Sequence, residues 1–186
     1  LPPCAGREPE LYGAGIASAA GAAEGILWKS GLTRLAFLGL LAAVVAWRIR
    51  RRHGELNWSW LVPALVTGVG GFFLPRFISH RVPGIDFAMR PAASWDSLLL
   101  GAGWHAWLPF ANMGIAVGLV GLGFSRSFLR GPIGGVSLGV ASYLLAEAWM
   151  RVAHAPLGAI PFLGWALLNA GVCVWIARIG IDRKTA

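Results

Sequence analysis

Five stretches of this chain are apolar for long enough to cross a bilayer, which takes about 20 residues. They run Leu32–Ile49, Trp58–Ile78, Leu98–Phe124, Pro132–Met150 and Leu157–Ile179. Between them fall short polar or basic segments: the "RIRRR" cluster, the loop around Asp86 to Asp96, "SRSFLRGP" and the short link ahead of Leu157. The pattern predicts an all-α fold, a polytopic membrane bundle of five transmembrane helices within a single domain. Leu11–Trp28, "LYGAGIASAAGAAEGILW", is built from Ala and Gly and carries Glu24. Three residues separate it from the next run, which is tight for a turn between two long helices. It reads as an interfacial or re-entrant helix in preference to a sixth span. The expected organisation is an extracytoplasmic segment at 1–31, the bundle at 32–179 and a cytoplasmic tail at 180–186.

Composition supports the membrane class. The 186 residues are 56% hydrophobic and 13% charged, with a mean hydropathy of +0.64. Soluble domains carry about 25% charged residues. Ten tryptophans suit a chain anchored at two water–lipid boundaries. The net charge of +8 gathers beside the apolar runs, with no basic face interleaved with aromatics, so nucleic acid is not an expected partner. Lys and Arg in short loops set orientation instead. Arg48, Arg50, Arg51 and Arg52 put their loop in the cytoplasm, with Arg126, Arg130 and Arg178 on the same side. This gives an extracytoplasmic N-terminus and a cytoplasmic C-terminus in a plasma (bacterial inner) membrane. An outside N-terminus beginning at Leu1 suits removal of a signal peptide. "LPPC" is a poor lipoprotein cleavage box. Cys4 and Cys173 are expected on opposite sides of the bilayer, with no disulfide and no zinc spacing.

Pairs of small residues four apart, Gly114/Gly118, Gly131/Gly135 and Gly135/Gly139, let backbones approach closely in lipid. They predict tight packing within the bundle or against other membrane subunits.

Ionisable groups in spans cost about 2.5–3.5 kcal/mol each at mid-helix, so each one calls for a reason. On the expected topology they collect on the outer side. Tyr143, Glu147, Arg151 and His154 fall within a narrow arc of one helix face at 100° per residue. His105 and Asn112 share a face of the third run, where Pro109 cannot donate to the His105 carbonyl and should bend the helix. His80, Asp86, Arg90 and Asp96 occupy the adjoining outer loop. These residues outline a polar pocket. Glu147 and Arg151 also read more simply as an i, i+4 neutralising pair. Asn112 and Asn169 read as interhelical hydrogen bonders.

His105 and His154 could ligate a transition metal or serve as axial ligands of a haem. Other motifs fail. "GVSLG" resembles a nucleophile elbow, but it lies in a span rather than at a strand-to-helix turn. Arg90–Pro91 resembles a fragment of the membrane lipid phosphatase signature, without the preceding lysine or the later elements. No lysine lies within a span to hold retinal. The first functional expectation is a subunit of a larger membrane complex, with an outer polar patch contacting a partner, lipid or cofactor. The alternatives are an intramembrane metal- or haem-binding enzyme and a small-ligand transporter or substrate-binding subunit. The sequence does not decide whether the chain is an enzyme.

Overall fold

The run beginning at Leu32 belongs to a much longer element. In the computed structural model, α1 extends unbroken over Pro9–Arg51, 43 residues or about 64 Å at 1.5 Å per residue. The Leu11–Trp28 stretch, expected as a separate interfacial or re-entrant helix, is continuous with that run. Lys29-Ser30-Gly31 contains no proline to remove a helical donor. The Thr33 hydroxyl also donates to the Lys29 carbonyl at 2.8 Å across the junction. The structure describes residues 9–70, 91, 112–154 and 160–182, with side chains described for 28–70, 91, 117–153 and 162–182.

After α1 come a 3-10 turn, Trp58–Trp60, and α2, Leu61–Gly68. The later helices are α3, Asn112–Gly123, α4, Ser127–His154, and α5, Ile160–Ile181. Three segments are long and apolar enough to cross a membrane: Trp28–Arg51, Ser127–Ala153 and Phe162–Ile181, with mean hydropathies of 1.7, 1.3 and 1.6. The described residues are therefore mainly helical and of membrane class, with three such helices among them; parts of the second and third of the five expected runs lie outside the described residues.

The second run does not form the expected unbroken span. Asn57 caps its start by accepting from the Ser59 N–H at 3.1 Å. The helix then stops at Gly68. Val69 and Gly70 N–H groups both donate to the Leu65 carbonyl, at 2.9 and 3.0 Å, and Gly70 adopts φ 75°. That left-handed conformation is open to glycine and costs other residues roughly 1–2 kcal/mol. "GVGG" is apolar by hydropathy and a helix stop by conformation. Gly70→Ala is expected to destabilise the protein by about 1–2 kcal/mol, read as an earlier midpoint in SDS titration from mixed micelles. Residues 71–78 of that run lie outside the described residues, as do 98–111 of the third.

Glycine explains how the helices pack. Gly131, Gly135 and Gly139 form one stripe on α4; the Asn57 and Ser59 side chains lie on Gly131, and the backbone from Trp60 through α2 lies on Gly135 and Gly139. A Cβ on Gly135 would collide with the Trp60 carbonyl, and one on Gly139 would come within 2.8 Å of the Ala64 carbonyl. Further along, Gly68 faces Gly139 and Ser142. A second face of α4 receives α5 in the same way, Gly134 against Ala177 and Gly180. The expected pairs Gly131/Gly135 and Gly135/Gly139 are thus contact surfaces within this chain. Gly118, by contrast, has nothing within 4 Å of its added Cβ.

α4 is consequently the central helix. One apolar cluster joins its Ile133, Val140, Ala141 and Leu144 to Ala170, Cys173 and Ile176 of α5. The other joins Leu38, Val45 and Ile49 of α1 to Trp60, Ala64 and Val69 around α2. α1 ends with His53 at φ 54° and Gly54 N–H donating to the Ile49 carbonyl at 3.0 Å, a Schellman-type stop. The loop beyond is tied to the end of α5 by a Leu56–Asp182 bridge and by Asn57 N–H donating to Ile181 at 3.1 Å. Between α3 and α4 the Arg130 Nε donates to the Phe124 carbonyl at 2.8 Å and covers the free end of α3.

Candidate functional site

Exposed aromatic residues on α1 and α4 lie near both ends of their apolar runs. On α1 these are Trp28 and Trp47, separated by about 28 Å of helix. On α4 they are Phe128 and Trp149, about 31 Å apart. Both spacings match a hydrocarbon core of about 30 Å. The contacts of residues 57–60 with Gly131 and Gly135 put Trp47, Trp58 and Phe128 at one end. Trp28 and Trp149 are at the other.

Inside the Trp28/Trp149 edge lies a layer of polar groups. Tyr143 precedes Trp149 by about 9 Å of helix, and Arg34 follows Trp28 by about the same distance. The Arg34 guanidinium lies over the Tyr143 ring, 5.1 Å from its centre. Its Nε is buried and makes no hydrogen bond among the described residues. Ser142, next to Tyr143, touches Gly68 at the end of α2. The break in α2 and the Arg34 guanidinium therefore meet consecutive residues of α4. Asn169 lies at a similar level on α5, given the Gly134–Gly180 contact and the antiparallel run of α4 and α5. It is fully buried. Its amide donates to the Trp165 carbonyl of its own helix at 2.7 Å, while its Oδ1 has no partner among the described residues.

The one described hydrogen bond of Asn169 is local rather than interhelical. Its described hydrogen bond runs back one turn within α5, which is a common alternative for a short polar side chain in a helix. Arg34 was not among the residues singled out from the sequence. Its position in the apolar run "LTRLAFL" was the available signal, since an arginine there needs a partner.

One turn above Tyr143, Glu147 accepts from Arg151 Nε at 3.3 Å, with the two side chains 27% and 45% exposed. The Arg151 guanidinium also covers the Phe162 ring of α5 at 4.2 Å. The simpler of the two expectations for this pair is what the geometry holds: neutralisation along one helix face at the edge of the layer. Glu147→Gln is expected to shift stability by less than about 0.5 kcal/mol, which a matched pair of unfolding titrations would measure.

Of the other expected pocket residues, His80, Asp86, Arg90, Asp96 and His105 lie outside the described residues, with Pro109. Asn112 opens α3 and His154 closes α4, and their side chains also fall outside. The pairing of His105 with His154 as metal or haem ligands is thus carried by sequence alone. Among the described residues no group of three or more His, Cys, Asp or Glu is placed to hold a metal ion. Ser137 of "GVSLG" lies buried within α4 and donates to the Ile133 carbonyl at 2.9 Å, in keeping with a helical rather than a nucleophilic role. Comparison with protein-family descriptions, with curated proteins and with solved structures finds no match to this chain.

Proposed function

We propose that this chain is a membrane-embedded subunit that binds a small polar ligand inside the bilayer, at the level where α2 stops. One observation carries the reading. A helix ends partway through an apolar layer, at the level of a half-buried arginine whose Nε is buried and of a buried asparagine, each with a polar atom that has no hydrogen-bond partner among the described residues. Irregular backbone at membrane depth is tolerated where protein or a water-filled cavity satisfies it. Discontinuous helices also frame the substrate sites of many transporters. Arg34 would supply a fixed positive charge, Tyr143 an aromatic wall, and Asn169 and the last carbonyls of α2 the acceptors.

Membership of a larger complex is supported by a separate feature. Gly164 and Gly171 on α5 share a face, and neither has a neighbour within 4 Å of an added Cβ. Leu168 and Trp175 on that side are exposed. Small and large apolar residues side by side suit packing by another membrane helix. The full topology we propose has five spans, the second interrupted, with the N-terminus extracytoplasmic and the C-terminus cytoplasmic in a bacterial inner membrane.

A thermal-shift screen of the detergent-purified protein against amino acids, carboxylates, sugars and amines tests ligand binding. At least one class is expected to raise the melting temperature in the wild type. If no class does so, the ligand reading is wrong. Mass spectrometry of the same preparation tests the complex, and a monodisperse monomer with no accompanying chain would count against it.

A further inference from the structure

The opposite end of the bundle carries a different polar surface, built on α1. Leu40, Val44, Trp47 and Arg51 follow one another at four, three and four residues, so they lie within an arc of about 60°. All four are exposed. The Arg51 guanidinium lies over the Trp47 ring at 4.2 Å. Arg48 stands on the flank of this stripe, and Arg52 follows directly after the helix end; both are exposed.

Helix polarity explains part of this placement, since cations are favoured at a helix C-terminus. It does not provide these arginines with a counter-charge. Arg48, Arg51 and Arg52 form no ion pair among the described residues. The acidic residues described at this end are Glu55 and Asp182. They face a surplus that also includes Arg50, Arg126, Arg130 and Arg178.

We propose that this stripe is a binding site for an anionic phospholipid, with an acyl chain along Leu40, Val44 and Trp47 and the headgroup phosphate on Arg51, Arg48 and Arg52. The continuity of the stripe selects a lipid over a soluble phosphate. The apolar part lies in the hydrocarbon layer, and the guanidiniums begin at the aromatic edge where headgroups sit. Charge selects an anionic lipid over a zwitterionic one, because a basic residue at such a surface contributes about a fivefold preference. This inference does not depend on the ligand proposed near Arg34.

The test uses the full chain in nanodiscs of phosphatidylcholine and phosphatidylglycerol in equal amounts, with retained lipids counted by native mass spectrometry. The wild type is expected to retain phosphatidylglycerol preferentially. Arg48→Gln, Arg51→Gln and Arg52→Gln should each lower that preference about fivefold. Arg151→Gln, at the other edge, should leave it unchanged. Equal retention of the two lipids by the wild type would overturn the proposal without recourse to any variant. So would an unchanged preference in a folded triple variant, or full displacement of the retained lipid by inorganic phosphate.

Discussion

Gly135→Leu is expected to detach α2 from α4 and destabilise the protein by about 3 kcal/mol, the upper range for overpacking. The side chain cannot escape by choosing another rotamer. The clash begins at Cβ, and it is with the Trp60 carbonyl and its neighbouring backbone atoms rather than with a flexible side-chain tip. In lipid this loss has no hydrophobic compensation, because association rests on close packing. Gly171→Leu is the matched control. Nothing lies within 4 Å of its added Cβ, so the change should stay within about 0.5 kcal/mol for the isolated chain. Unfolding by SDS in mixed micelles, followed by far-UV circular dichroism, separates the two. Equal effects would mean that α2 does not depend on the glycine stripe. If the chain works within a complex, Gly171→Leu should instead weaken assembly while leaving this unfolding curve in place.

Arg34→Leu is expected to give the opposite sign in stability and a complete loss of ligand response. Removing an arginine from the apolar layer relieves about 2.5–3.5 kcal/mol on insertion scales. The lost contact with Tyr143 offsets up to about 2 kcal/mol, the value for a desolvated cation–π pair. The net is a gain of about 1 kcal/mol. The solute that stabilises the wild type should no longer shift the melting temperature of this variant. A variant that is both more stable and unresponsive identifies Arg34 as a residue retained for binding. If the response survives at full size, Arg34 does not contact the ligand. Tyr143→Leu in the Arg34→Leu background should add little, whereas alone it should destabilise. That non-additivity measures the coupling between the two side chains.

Much of the packing was legible in the sequence because glycine spacing is itself a geometric statement. Gly131, Gly135 and Gly139 at intervals of four give one face of a helix whatever surrounds them. The arc of Tyr143, Glu147 and Arg151 follows from the same periodicity. Helix ends were harder to read. Hydropathy counts "GVGG" as apolar, whereas Gly70 acts through its backbone angle. The opposite error occurred ahead of Leu32, where the Ala- and Gly-rich Leu11–Trp28 was read as a separate helix and the helix simply continues. Arg34 was visible within an apolar run but was not singled out. Phe162 carried no signal at all, since an aromatic in an apolar run becomes a cation's partner only once α4 and α5 are aligned.

The tie between Leu56 and Asp182 also bears on the order in which this protein is made. It joins segments roughly 125 residues apart, and such distant contacts are slow to form because the loop between them must first be closed. Synthesis releases the N-terminal part first, so the segment after α1 reaches its place long before its partner exists. The Asn57 N–H that finally donates to Ile181 has no such acceptor until α5 emerges. Fixing the segment after α1 in its place is therefore coupled to the arrival of α5.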